Sequence, residues 1–279
     1  MYKYILAVAG LLLITSINLA QDKMCGVAAA PAKFASLGSD KDFRNAHANP
    51  LPFKLEKPQG KMISFPTDDG TDAKAYFLKA KKKTDKYLLV FQEWYGLNDY
   101  VKKESDELYN ALDVNVLALD LYDGKVADDR EQAAKYVQAV DNNRVFNIIK
   151  GAFKYAGAGA EFATLGWCFG GSWSLQAAIE AGDDLEACVM FYGMPEDDPE
   201  RLKMIDGPVL AIFANKDQHI TPEIADKFES DMKKLNKEIW VERYDADHAF
   251  ANPSNPVYDS KAAKDAKAKA LAFLKKHLD

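Results

Sequence analysis

The stretch Gly166-Trp167-Cys168-Phe169-Gly170-Gly171, GWCFGG, lies between the apolar run Phe162-Ala163-Thr164-Leu165 and the segment Ser172-Trp173-Ser174-Leu175-Gln176-Ala177-Ala178-Ile179. An apolar run, then glycines, then helix-forming residues read as a strand turning sharply into a helix. Glycines on both sides of one side chain point to a corner too tight for Cβ atoms, with the central residue held out on it. The residue presented there is a cysteine. If it is a nucleophile, the base, the acid and the oxyanion donors must come from elsewhere in the chain.

Working outward, further apolar runs alternate with helical patterns: YLLVF (87–91), VNVLALDLY (114–122), ACVMFYG (187–193), VLAIFAN (209–215) and EIWVERY (238–244). Continuous hydrophobic strands are expected where helices cover both faces of a mostly parallel sheet. Helical spacing follows the cap candidates Asn98 and Asp99 and recurs over 130–155, 172–181, 222–235 and 258–278. Ahead of these, KMISFPT and AKAYFLKA flank Asp68-Asp69-Gly70-Thr71, which predicts an antiparallel hairpin at a sheet edge. The outcome is one doubly wound α/β domain over 59–279. Residues 21–58, rich in Ala, Pro, Asn and Ser, read as an extension on the surface with one or two short helical turns.

The N-terminus carries Lys3, then an almost unbroken apolar segment from Tyr4 to Ala20 before Gln21-Asp22-Lys23. This reads as a signal peptide (1–20), placing the protein in the periplasm or outside the cell; an uncleaved anchor is the alternative, although the segment is short for a span. A lipoprotein reading through Cys25 is disfavoured by the polar Asp22-Lys23-Met24. The formal net charge of −6 argues against a sequence-independent affinity for nucleic acid or anionic lipid, so neither nucleic acid nor, after cleavage, a membrane is expected as partner. Of the three cysteines, Cys188 lies in a core-like strand, and no C-x-x-C or other metal-ligand spacing is present. No metal or organic cofactor is expected.

The corner resembles the nucleophile elbow of the α/β-hydrolase fold, which orders its residues nucleophile, acid, base along the chain. With Cys168 as nucleophile, Asp217 falls just past one later strand and His248 just past the next, both at the carboxyl ends where open α/β sheets build their sites. Among the four histidines, His47 lies in the extension, His277 in the C-terminal helix, and His219 has no strand of its own. His248 is the one in position. A lone aspartate or histidine at a strand end is usually a turn former, and Asp245 and Asp247 could compete to orient His248, so it is the ordered set that is specific. The turn FQEWYGLND (91–99) should supply the second oxyanion donor, pairing the backbone N–H of Trp94 with that of Phe169. Glu93, a carboxylate ending an apolar strand, needs a partner: a salt bridge or the thiol itself.

These residues resemble the dienelactone hydrolase family, with its Gly-x-Cys-x-Gly-Gly elbow, a Gln-Glu pair in the turn ahead of it, and the aspartate and histidine in this order. The resemblance covers Lys61 to the C-terminus. It implies a carboxymethylenebutenolidase-like ester or lactone hydrolase with a Cys168, His248, Asp217 triad and a thioester intermediate. It further implies that Glu93 engages the thiol and helps generate the thiolate once substrate enters. Family prototypes clamp the dienelactone carboxylate with two arginines; here those places hold Asp123-Gly124-Lys125 and Asn252, which weakens recognition of a small anionic lactone. Lys125 could act as a point charge, while Trp94, Tyr95, Trp167, Tyr192 and Phe250 suggest an aromatic pocket or, equally, core packing. A small-molecule ester or lactone and a monomeric protein are the expectation. A redox-reactive thiol protein and a non-catalytic binding protein on the same scaffold are the other readings.

Overall fold

The computed structural model describes residues 29–278; the expected signal peptide and Cys25 lie outside the described residues. In chain order the elements are α1 (Ala29–Leu37), α2 (Lys41–Ala46), β1 (Lys61–Phe65), β2 (Ala73–Leu78), β3 (Lys86–Phe91), α3 (Asp99–Leu112), β4 (Asn115–Leu119) and α4 (Arg130–Gln138). They continue with α5 (Asn142–Ala156), β5 (Glu161–Trp167), α6 (Phe169–Ala181), β6 (Leu185–Phe191), α7 (Pro199–Leu202), β7 (Val209–Ala214), α8 (Pro222–Lys234), β8 (Ile239–Tyr244) and α9 (Ser260–Leu278).

The strands form one 8-stranded sheet in the order β1-β2-β4-β3-β5-β6-β7-β8. The β1–β2 hairpin is antiparallel and its second strand also joins β4 antiparallel, so the chain enters the sheet from the edge. From β4 onward every pairing is parallel. Every residue of β4 and β7 is buried, which is why these strands read as unbroken apolar runs rather than alternating ones. α3 and α9 pack together on one face, α5 and α6 on the other. The strand order reverses around β3, so a crevice opens at the carboxyl ends of β3 and β5, where this kind of sheet binds ligands.

Two expectations change. The helical pattern over 130–155 is two helices, because Ala139 leaves helical geometry and Asp141 caps a new start by accepting from the Asn143 N–H at 2.9 Å. Of the segment ahead of the domain, residues 48–58 lie mostly exposed, as a surface extension would, but residues 29–47 dock inward. Its α1 and α2 drive Phe34, Phe43 and His47 to 0%, 0% and 2% exposure. Asp40 caps α2 by accepting from the Asp42 and Phe43 N–H groups, aiming Phe43 inward. Two fully buried phenylalanine rings contribute about 3–6 kcal/mol between them, enough to hold a short segment against the carboxyl edge of the sheet.

Candidate active site

Cys168 links β5 to α6 with φ 58° and ψ −121°, a backbone state that costs a non-glycine residue about 1–3 kcal/mol. Its surroundings enforce it: the Cys168 N–H donates to the Phe191 carbonyl at 2.9 Å, and the Cys168 carbonyl accepts from Gly171 N–H at 3.0 Å. The glycines are required by space. A Cβ on Gly166 would stand 2.1 Å from the Gly170 carbonyl oxygen, and one on Gly170 would stand 2.3 Å from those of Phe91 and Gln92. The corner is thus pressed against the end of β3, which carries the Trp94 turn.

His248 follows β8 and Asp217 follows β7, as the chain order required. His248 Nε2 lies 3.4 Å from Cys168 Sγ, and His248 Nδ1 donates to Asp217 Oδ2 at 2.5 Å. The other Asp217 oxygen accepts from the His219 and Ile220 N–H groups, each at 2.9 Å, so the carboxylate cannot rotate away; Asp245 and Asp247 play no part in this. Burial works against charge on Asp217, but the His248 imidazole and these amides outweigh it and hold its pKa down to about 2. Burial likewise opposes charge on His248, and the Asp217 carboxylate overcomes it and raises the imidazole well above its ordinary value. Burial also pushes the Cys168 thiol up, with His248 pulling the other way. In this arrangement the sulfur stands beside an imidazole whose orientation Asp217 fixes.

The Phe169 amide lies beside the sulfur, and the Trp94 amide belongs to the turn after β3. Phe169 N–H heads α6 with no intrahelical acceptor, and Trp94 N–H bonds to no described residue. The Trp94 turn is fixed by Gly96 N–H on the Glu93 carbonyl at 3.2 Å and by the Tyr122 hydroxyl on the Trp94 carbonyl at 3.1 Å. A backbone donor at the head of the helix beside the nucleophile is one part of what an oxyanion needs.

Glu93 has found neither a cation nor the thiol. It accepts from Asn252 Nδ2 at 2.5 Å and from the Tyr192 hydroxyl at 3.4 Å. Burial raises its pKa to about 7, with His248 and Asn252 opposing. Glu93 and Asn252 end a cleft of about 680 Å³ between α3 and α9, whose apolar wall includes Val101, Leu108, Leu165, Trp167 and Phe191. Of the tentative substrate residues, Trp167 and Asn252 therefore border the cleft. Tyr95 is buried with its hydroxyl donating to the Ala48 carbonyl at 2.5 Å, and Phe250 packs between Tyr192 and Tyr244. Lys125 is exposed and sits over the Tyr136 ring, outside the cleft, so it does not replace a carboxylate clamp there.

The residue that sequence reasoning set aside is His47. Its Nε2 lies 3.8 Å from Cys168 Sγ, its ring centroid 4.3 Å from that of Trp94 and 5.0 Å from that of His248. Phe43 beside it packs edge-on to Trp94 and His248. Together they leave Cys168 1% and His248 4% exposed. Burial, then the nearby His248 charge, depress the His47 pKa to about 3, so His47 is a neutral imidazole. Nothing in the local sequence marks this residue, since it approaches the sulfur only through the docking of α2; the sole hint is an aromatic-and-histidine pattern, Phe34, Phe43, His47, in an otherwise plain segment.

The sequence profile of the dienelactone hydrolase family matches residues 73–278. Carboxymethylenebutenolidase 1 of Cupriavidus pinatubonensis is 25% identical over 214 residues, covering 72% of this chain and 90% of that protein. Protein usf of Aquifex pyrophilus is 27% identical over 235 residues, covering 78% and 99% respectively. A solved dienelactone hydrolase-like promiscuous phosphotriesterase from metagenomic libraries superimposes with a TM-score of 0.67 at 20% identity, over 78% of this chain and 99% of its own. With the α/β-hydrolase topology and the elbow already in place, the chain belongs to the dienelactone hydrolase family, whose chemistry is the hydrolysis of carboxylic ester bonds.

Proposed function

We propose that this protein is an exported, monomeric, cysteine-dependent hydrolase of carboxylic esters or lactones, of the carboxymethylenebutenolidase type, acting through Cys168, His248 and Asp217. The observation that carries the reading is the unbroken relay from Asp217 Oδ2 through the His248 ring to Cys168 Sγ, at 2.5 and 3.4 Å, on a strained elbow. His248 Nε2 takes the thiol proton as the sulfur adds to the substrate carbonyl carbon. The carbonyl π pair moves onto oxygen, between the Trp94 and Phe169 amides. Collapse of the adduct expels the alcohol oxygen, which takes the proton from His248, and leaves a thioester. Water deprotonated by His248 then adds to the thioester; collapse releases the acid and returns the proton to sulfur. Glu93, once freed from Asn252 and Tyr192, is a second acceptor for the thiol proton; entry of substrate requires the segment carrying Phe43 and His47 to lift.

Neither place of the family's arginine clamp offers a cation to the cleft, since Lys125 lies on Tyr136 and Asn252 is engaged by Glu93. An ester or lactone with an apolar group for the α3–α9 cleft is therefore the favoured substrate class, with Lys103, Lys261, Lys264 and Lys267 as the cations that line it in place of the clamp. The test is hydrolysis of a short-chain aryl ester panel plus dienelactone by wild type, Cys168→Ala and Cys168→Ser. Turnover of esters that falls to background in Cys168→Ala is the expected result. Equal turnover by wild type and Cys168→Ala would remove the sulfur from the mechanism and with it this reading.

A further inference from the structure

Three ligand-type side chains from distant parts of the chain, His47, Cys168 and His248, place one donor atom each within 4.8 Å of one another, all three residues buried. The sulfur–nitrogen separations fit a coordination site. For a cation with bonds of about 2.3 Å to sulfur and about 2.0–2.1 Å to imidazole nitrogen, trigonometry puts sulfur and nitrogen about 3.5 Å apart at a tetrahedral angle and about 3.8 Å apart at a trigonal one. The two observed separations are 3.4 Å for His248 Nε2 and 3.8 Å for His47 Nε2.

The second observation is the outer side of each ring. A metal-bound histidine nearly always donates its other N–H to a carboxylate or backbone carbonyl, which fixes the tautomer and aims the lone pair. His248 does this through Nδ1 on Asp217 at 2.5 Å, and His47 through Nδ1 on the Phe43 carbonyl at 2.8 Å. Both Nε2 atoms are thereby turned toward the same sulfur. The ester-hydrolysis mechanism uses one of them. It has no use for the second, and a neutral lone pair facing a thiolate would oppose the attack. The His47 ring is further held by tilted packing against Trp94, with centroids 4.3 Å apart, so the arrangement is built rather than incidental.

We propose that His47, Cys168 and His248 form a binding site for a zinc-type divalent cation, with one thiolate and two imidazole ligands and a fourth position open to water. Binding replaces the thiol S–H bond by a metal–sulfur bond and releases that proton to solvent. Because His47 belongs to the N-terminal segment while the other two ligands are the nucleophile and base of the site, the ion ties that segment down over the sulfur. The metal-bound state is a closed, resting form, and removing the ion frees the thiol and takes away one of the ties on the segment, leaving the Phe34 and Phe43 contacts. The inference uses the geometry of the three side chains and not the hydrolase activity, so either can fail alone.

The experiment is titration of the metal-stripped full-length mature protein with Co²⁺ as a spectroscopic stand-in for zinc, followed by displacement with Zn²⁺. One equivalent should give a near-ultraviolet thiolate-to-cobalt band and the intense visible bands of four-coordinate cobalt, both bleached by zinc. The thiolate band should vanish in Cys168→Ser, and His47→Gln should lower zinc affinity by more than the roughly 10–100-fold that outer-partner changes cost. A second measurement needs no variant: zinc should slow maleimide labelling of Cys168, mapped by peptide mass, and a chelator should restore the rate. No thiolate band in wild type, or a band and affinity unchanged in folded His47→Gln, would overturn the proposal. So would labelling of Cys168 that is indifferent to zinc.

Discussion

Replacing Glu93 by glutamine isolates the cost of keeping a carboxyl group at the end of the cleft. Burial lifts this group from 4.5 to about 7. With the folded value above the unfolded one, the native state holds the proton more tightly, so stability is intact below pH 4.5 and falls as pH rises to 7. At about 1.36 kcal/mol per pKa unit the full loss is about 3 kcal/mol above pH 7. The substituted amide keeps the shape and remains satisfied, since its carbonyl can accept from Asn252 Nδ2 and its NH₂ can donate to the Tyr192 hydroxyl. Glu93→Gln should therefore match wild type near pH 4.5 and be more stable by up to about 3 kcal/mol at pH 8, with a midpoint several degrees higher. Urea unfolding of both proteins at pH 4.5, 6 and 8 measures this directly. A stability difference that does not grow between pH 4.5 and 8 refutes the argument that burial sets the Glu93 proton. Activity should move the other way, since the stabilised variant lacks the second acceptor for the thiol proton.

Two further outcomes follow from the same geometry. Asp217→Asn should lose ester turnover by about 10²–10⁴-fold while its fold remains, because an amide in place of the carboxylate no longer holds His248 in the tautomer that leaves Nε2 free toward sulfur; a kcat within a few-fold of wild type would show that Asp217 does not orient the base. Phe43→Ala removes a fully buried ring that seats the N-terminal segment on Trp94 and His248. A loss of about 3 kcal/mol from the closed form should speed maleimide labelling of Cys168 about 100-fold, and an unchanged rate would mean the segment does not control access.

How much of this was legible beforehand divides along physical lines. Apolar runs separated by helical spacing specify strands and helices because burial of both sheet faces acts on each segment separately, so the hairpin, the parallel sheet and the GWCFGG corner could be read one after another. The order Cys168, Asp217, His248 was legible for a related reason: the fold puts each strand end at the same edge, so position along the chain translates into position in space. The break at Asp141 was a near miss, because a capping aspartate inside a helical pattern is a local signal weaker than the apolar repeat around it.

What lay beyond reach depends on docking between segments that are far apart in sequence. Glu93 could be recognised as needing a partner, but that the partners are Asn252 and Tyr192 is decided by how the loop after β8 and the turn after β6 meet the end of β3. Lys125 looked like a replacement cation until the turn carried it onto Tyr136. His47 is the clearest case. It is separated from Cys168 by 121 positions and belongs to a segment with little periodicity of its own, so no local pattern could place it. The sheet, the elbow and the order of the triad are written in the chain itself, because they follow from short-range spacing and from one topology. That Phe34, Phe43 and His47 close over the sulfur is settled by assembly, because it rests on the shape and apolar surface of a crevice that exists only after the strands have come together.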